Sequence, residues 1–302
     1  MNMETIVQIA PRNVARGSRS IEDILTESGM LSKEECSRIL KLMQEDKKLS
    51  FGDAAIRLGL LSESDIQQAL SQQVSYTYLP TSSKPVSEEL LIAYEPFGPF
   101  AEELRAICSQ LLLRRFDSEA KTRTLAIVSL LRGEGRSYLA ANLAIAFSQF
   151  GRRTLLIDGD LREPEQHRLF NLENKKGLSS LLAGHDEKDA IVSIKAFTNL
   201  DVLPAGPSPA NPLELLSRPA FGKILTQLNA DYDVILFDTP AVSRGVEASL
   251  LAVRASAALV VARNNQTRLG AFGEMVKNLK RSGCAVIGSV FNDPPPGTSL
   301  RN

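Results

Sequence analysis

Three short stretches carry residues that can do chemistry together. They are Leu130-Leu131-Arg132-Gly133-Glu134-Gly135-Arg136-Ser137, Asp158-Gly159-Asp160 and Asp238-Thr239-Pro240, and each follows directly on an apolar run. In the first, glycines let backbone N–H groups close around an anion. A helix opening at Gly135 adds unpaired donors and a partial positive charge. Arg136 supplies a cation for terminal phosphates, and the Ser137 hydroxyl can ligate Mg2+. The phosphate-binding candidates are Gly133, Glu134, Gly135, Arg136 and Ser137, with Tyr138 next in the same helical turn. The match to G-x-x-x-x-G-K-[ST] is incomplete, because Leu130 replaces the first Gly and Arg136 the Lys. Taken alone, the stretch also reads as a Gly-containing turn between a strand and a helix. The carboxylates change that balance. Asp158, Asp160 and Asp238 would meet at the C-terminal ends of strands, in the crevice where open α/β sheets bind ligands. There they can hold Mg2+ and activate a hydroxyl; with neither metal nor phosphate to bind, they would only repel one another.

The elements that must position these residues are legible from periodicity. Apolar runs at 124–130, 154–158, 200–204, 233–238, 257–262 and 284–291 lack polar alternation, as strands buried on both faces do. Helical segments lie between most of them. In 137–150, Leu139, Leu143, Phe147 and Phe150 trace one stripe. Alternating strands and helices predict an α/β domain, a parallel sheet with helices on both faces and right-handed crossovers. A helix is expected from about Pro99 to Phe116. Before it, residues 19–75 contain a repeat at an offset of 30 that pairs Gly29 with Gly59, Leu31 with Leu61, Ser32 with Ser62 and Leu40 with Leu70. Ser32 with Glu35 and Ser62 with Asp65 have capping-box spacing. Gly29 and Gly59 suit the left-handed position after a helix. Cys36, Ile39, Leu40 and Met43 share one helical face. The organisation expected is a loose start over 1–18, a small all-α domain over 19–75, a Pro/Ser/Tyr-rich linker over 76–98, the α/β domain over 99–292 and a disordered tail over 293–302.

The bulk composition narrows the function classes. With 302 residues, 43% hydrophobic and 23% charged, the chain is an ordinary globular one of a large and a small domain. Lys+Arg and Asp+Glu are equal at 35 each, which gives no electrostatic case for nucleic acid as a partner. Cys36, Cys108 and Cys284 are far apart and outside any metal-ligand spacing, as expected of reduced thiols. No signal peptide opens the chain, and no apolar stretch approaches the ~20 residues of a membrane span. The expected location is therefore cytoplasmic. His167 and His185 are single and read as surface or packing residues.

GEGRS, LLIDGDLREP and YDVILFDTP resemble the Walker A, A′ and B motifs of the bacterial tyrosine kinases, and LPAGPSPANPLELL resembles the loop after that family's third strand. The resemblance covers roughly residues 96–292 and is closest to the exopolysaccharide chain-length-determinant kinases. It implies a protein tyrosine autokinase that uses ATP and Mg2+ and governs polymer export. Arg136 and Ser137 would then bind phosphates and Mg2+, and Asp158 and Asp160 would organise the metal and the acceptor hydroxyl. Asp238 would stand in the metal's outer shell, and Asn292 where the family reads adenine. A membrane co-polymerase of the chain-length-determinant type is the implied partner. It would hold the chain peripherally at the inner membrane, with self-association into a ring.

Three departures bear on activity. Arg136 is forked and larger than Lys. No tyrosine follows Tyr232, so the acceptor cluster expected at the C-terminus is missing, and Tyr76, Tyr78 and Tyr94 in the linker are candidates instead. In the helix before the first strand, the family's Glu-x-x-Arg-x-x-Arg becomes Glu102, Arg105, Cys108. A nucleotide switch of the export machinery that phosphorylates nothing is the alternative. A partitioning-type ATPase fits less well, since Leu131 stands where such proteins carry a second Lys. Residues 19–75 resemble the N-terminal domain of type II secretion and pilus ATPases, some of which bind cyclic di-GMP through Arg-Leu-Gly openings. Here the openings are Ser20-Ile21-Glu22 and Ser50-Phe51-Gly52. Without the arginines the phosphates lose their bidentate partner, so this domain is expected to dock a protein rather than cyclic di-GMP.

Overall fold

The computed structural model describes residues 21–46, 49–62, 65–66, 69, 79, 84–116, 123–185 and 189–293. The expectations for 1–18, Leu70, Tyr76, Tyr78 and 294–302 lie outside the described residues. The chain divides into two compact units between Tyr76 and Thr77.

In the first unit, helices α1 (Ile21–Glu27), α2 (Lys33–Glu45) and α3 (Phe51–Arg57) bury Leu25, Ile39, Ala54 and Ala55 against one another. Gly29 and Gly59 both take positive φ, +74° and +67°, and so end their helices without a Cβ penalty. Ser32 and Ser62 accept from the backbone N–H groups of Glu35 and Asp65, whose carboxylates accept in return. Ser50 and Asp53 form a third such box, at what the sequence offers only as a repeat opening. Leu40 departs from the expected apolar face. Ile39 takes the inward position and leaves Leu40 40% exposed.

The second unit opens with α4 (Leu91–Tyr94) and α5 (Pro99–Leu111), which runs into a π turn at Leu112–Phe116 rather than continuing as one helix. Strands β1 (Thr124–Ser129), β2 (Thr154–Asp158), β3 (Val192–Ser193), β4 (Leu200–Leu203), β5 (Val234–Asp238), β6 (Ala257–Arg263) and β7 (Ala285–Asn292) form one sheet in the order β3-β4-β2-β5-β1-β6-β7. Every pairing is parallel except that of β3 with β4, a two-residue addition too short to leave an apolar run in the sequence. Between the strands lie α6 (Arg136–Gln149), α7 (Gln166–Leu169), α8 (Leu178–Ala183), α9 (Pro212–Ser217), α10 (Pro219–Asp231), α11 (Glu247–Ala255) and α12 (Leu269–Arg281).

Alternate residues of the central strands feed two cores. Leu125 and Ile127 pack with Leu143, Phe147 and Leu236 on one face; Ala126 and Val128 pack with Phe221, Phe237 and Leu251 on the other. That is the period-2 geometry of a sheet covered on both sides. The expectation of two buried faces fails for β7. It is the edge strand, half-exposed along its length, and Phe291 is 65% exposed. α6 is buried almost all round, not along one stripe, because it lies in the middle of its layer. The linker reading also fails over 84–98. Val86, Leu90, Ile92 and Tyr94 join the first of these cores, and Ser87 donates its N–H to the Leu169 carbonyl. Their Pro- and Ser-rich surroundings mask these apolar residues in the sequence.

Candidate functional site

β1 ends at Ser129 and α6 begins at Arg136, so the phosphate loop spans the C-terminal edge of the sheet at its centre. Gly133 and Gly135 hold φ values of +77° and +88°, which only glycine adopts without strain. The loop's carbonyls are engaged from the neighbouring strand ends. Gln266 Nε2 donates to the Arg132 carbonyl (2.7 Å), Arg263 Nη1 to that of Gly133 (2.6 Å) and Asn292 Nδ2 to that of Glu134 (3.0 Å). Across a planar trans peptide the following N–H points the opposite way. The N–H groups of Gly133, Glu134 and Gly135 therefore face away from these braces, as an anion nest requires. The Glu134 side chain is buried inside the loop, accepting from the Leu131 N–H (2.7 Å) and from the Thr267 hydroxyl. Glu134 thus has only its backbone to offer a ligand. Arg263, Gln266 and Thr267 are not singled out by the sequence because they lie at and just beyond the end of β6 with no motif of their own.

The register of β2 and β5 sets Asp158 directly opposite Asp238. Gly159 makes that approach possible. Its N–H donates to the Asp238 carbonyl (2.8 Å), and a Cβ here would lie 2.8 Å from that oxygen and 2.7 Å from Leu251. Gly159→Ala should therefore push the two strand ends apart and cost about 1–3 kcal/mol in denaturant unfolding. An unchanged unfolding midpoint would contradict this geometry.

The carboxylates differ in their surroundings. Asp158 is fully buried; its Oδ1 accepts from the Asp160 N–H (3.2 Å) and its Oδ2 from those of Glu165 (3.1 Å) and Gln166 (3.0 Å). Burial raises its pKa well above the usual carboxylate range and the neighbouring Asp238 adds to this, while the Gln166 and Asp160 N–H groups oppose it. Asp160 is buried, with Oδ1 accepting from the N–H groups of Arg162 (3.2 Å) and Glu163 (3.0 Å). Its pKa is raised by burial and by Asp238, against the pull of the Glu163 N–H and Arg136. The Arg136 guanidinium lies between the strand ends. Nε donates to Asp238 Oδ1 (3.3 Å), Nη1 to Ser129 Oγ (2.9 Å), and Nη2 stands 3.5 Å from Asp160 Oδ2. Gln166 completes the set, its Nε2 donating to Asp238 Oδ2 (2.8 Å) and to the Ser137 carbonyl (3.1 Å).

The structure thus brings Arg136, Ser137, Asp158, Asp160 and Asp238 together. Among the described residues no three His, Cys, Asp or Glu side chains are grouped to hold a metal by themselves. Asp158, expected as a metal ligand, spends both oxygens on backbone N–H groups and shapes the turn after β2. Mg2+ still fits the remaining donors, since it binds through one or two protein oxygens, phosphates and waters. The Ser137 hydroxyl and the Asp160 and Asp238 carboxylates are of that kind. The buried Gln166 Oε1 has no hydrogen-bond partner among the described residues and so can accept from a group bound here. Tyr138 stands apart, its ring 5.6 Å from that of Phe100.

The described tyrosines are all engaged elsewhere. Tyr94, expected as a linker acceptor, is buried and donates its hydroxyl to the Val86 carbonyl (2.6 Å), because its segment belongs to the core. Burial pushes the Tyr138 hydroxyl up to about 12, with Glu89 and Glu95 adding to the shift. Tyr232 donates to Asp201 Oδ2 (2.7 Å). Arg105 also turns inward, to Glu102 and the Pro96 carbonyl, over the Phe97 ring.

Residues 122–282 match a family described as an AAA domain. The putative tyrosine-protein kinase CapB of Staphylococcus aureus is 33% identical over 216 residues, 70% of this chain and 92% of CapB. The putative tyrosine-protein kinase EpsB of Ralstonia nicotianae is 34% identical over 235 residues, 78% of this chain; the match spans only 30% of EpsB. Among solved structures, the kinase domain of the Escherichia coli tyrosine kinase ETK superposes with a TM-score of 0.64 at 27% identity, covering 70% of this chain and 84% of that one. The septum site-determining protein MinD of Pyrococcus horikoshii, solved with Mg-ADP, has a TM-score of 0.50 at 27% identity over 58% of this chain and 74% of its own.

Proposed function

The chain belongs to the bacterial tyrosine-protein kinase family of AAA-domain nucleotide-binding proteins, and on that premise we propose that it transfers the γ-phosphoryl group of ATP to protein tyrosine. The observation that carries this reading is Arg136 joined to Asp160 and Asp238 at the end of a loop in which Gly133 and Gly135 both take positive φ. The loop N–H groups would receive the β-phosphate, and the positive end of α6 favours its charge. Arg136 would leave its carboxylate partners for the transferring phosphoryl group, where a fixed cation stabilises developing negative charge. Ser137 and Asp238 would hold Mg2+, which neutralises phosphate charge when bound. Asp160, through the oxygen that no backbone N–H group occupies, would take the proton of the attacking tyrosine hydroxyl.

By family likeness, the physiological setting is exopolysaccharide polymerisation and export. By the same likeness, the partner there would be a membrane chain-length determinant; no helix among the described residues is long and apolar enough to cross a membrane. Asn292 would reach adenine only after its amide leaves the Glu134 carbonyl.

One observation favours the nucleotide-switch alternative: Tyr94, Tyr138 and Tyr232 are all packed or hydrogen-bonded. Acceptors must then be Tyr76, Tyr78 or tyrosines of another chain. Purified protein, alone and with its membrane partner, should be incubated with Mg·ATP and mapped for phosphotyrosine by mass spectrometry. Phosphotyrosine at Tyr76, Tyr78 or on the partner is expected. Measurable ATP binding with no phosphotyrosine would leave the switch.

A further inference from the structure

Gln166 lies outside every motif that marks the site, yet it touches all three of its elements. It is fully buried. Its backbone N–H donates to Asp158 Oδ2 (3.0 Å), and its Nε2 donates to both Asp238 Oδ2 (2.8 Å) and the Ser137 carbonyl (3.1 Å). One residue therefore ties the ends of β2 and β5 to the first turn of α6. The amide's orientation follows from these partners. Both are acceptors, and turning the amide over would set its oxygen against a carboxylate and a carbonyl. With both N–H bonds of Nε2 committed, Oε1 is fixed in place. It is buried and has no hydrogen-bond partner among the described residues. A buried amide oxygen in this position is free to accept from a group that enters the site.

Resting on the reading of this site as one for a magnesium nucleotide, we propose that Gln166 is a positioning residue. Its Nε2 holds the Asp238 carboxylate, and its Oε1 accepts a hydrogen bond from a water molecule that enters with the magnesium nucleotide. Held through Oδ2, Asp238 keeps Oδ1 turned toward the centre of the site, where Arg136 now meets it. Outer partners of this kind govern how well a site takes its metal.

The test uses the full chain and ADP, titrated by calorimetry with Mg2+ and again in chelator. The readout is the ratio of the two affinities, which a purely structural role, weakening both, would leave unmoved. Wild type should bind ADP more tightly with Mg2+. In Gln166→Met, equal in length but without donor or acceptor, that gain should fall about tenfold or more. An equal gain in wild type and variant, or no gain in wild type, overturns the inference. Should the variant not fold, a crystal structure of the wild type with Mg·ADP decides the matter. A water within hydrogen-bond distance of Oε1 supports the proposal, and a dry Oε1 overturns it. Neither measurement reads tyrosine phosphorylation. A protein that binds Mg·ADP in the expected way but labels no tyrosine would lose the kinase reading and keep this one.

Discussion

Arg136→Ala should slow tyrosine phosphorylation by roughly a hundredfold or more at saturating ATP, the usual consequence of removing one charge-stabilising donor. It should also destabilise the unloaded protein. Asp238 is fully buried and Asp160 nearly so, and Arg136 is the cation set between them. Breaking a buried ion pair from one side leaves carboxylates unpaired, at a cost of about 3–5 kcal/mol. Protonation of Asp160, whose pKa already stands high from burial and from Asp238, relieves part of that cost. Arg136→Lys separates the two effects. Lys keeps a point charge for the phosphates but cannot reach Ser129, Asp160 and Asp238 at once. Its unfolding midpoint should fall less than that of Arg136→Ala, and its activity should be retained. Activity unchanged in Arg136→Ala would mean that the guanidinium does not act on the phosphoryl group.

Asp160→Asn should lose phosphoryl transfer by a comparable factor, on the order of a hundredfold, while keeping the fold. The Asn Oδ1 can still accept from the Arg162 and Glu163 N–H groups. What it loses is the charge beside Arg136. The stability difference should depend on pH in one direction. The folded pKa of Asp160 is raised, so its protonated form favours the folded state, fully at pH below the ordinary carboxylate pKa. That contribution is lost as pH rises through the folded value. In magnesium-free buffer the midpoint of Asp160→Asn should therefore gain on wild type as pH climbs from acid toward neutral. A gain in the opposite direction would mean that Arg136 outweighs burial and holds the carboxyl low.

The strands and the phosphate loop are legible in the sequence because β1, β2 and β5 are apolar on both faces, β2 and β5 end abruptly in Asp, and β1 runs into the glycine loop. Buried parallel strands have no other way to begin and end. β3 is not legible, because two residues at a sheet edge need no apolar run. β7 misleads in the other direction, since an edge strand and a central one can share one composition. Residues 84–98 show how punctuation can hide a core segment: Lys84 to Ser87 look like connector, yet Val86 and Leu90 are fully buried. In the site, the residue types suited to phosphate are legible once the loop is read together with the aspartates at the other strand ends. The braces are not. Gln166, Arg263, Gln266 and Thr267 reach the loop or its aspartates from other strand ends, and only the sheet order brings them there. Asp158 and Asp160 look equivalent as a pair in the sequence. Backbone N–H groups occupy both oxygens of the first, while the second keeps one oxygen toward Arg136.

The most direct test of the account is a single-turnover incubation with ATP radiolabelled at the γ-position. Label is partitioned between protein tyrosine and inorganic phosphate, in wild type and in Asp160→Asn, each with Mg2+ and the membrane partner. Label should appear on tyrosine in wild type, and in the variant on the order of a hundredfold more slowly, although the variant still binds Mg·ADP. Label recovered from wild type only as inorganic phosphate would contradict the account and make the protein a nucleotide hydrolase that switches without phosphorylating.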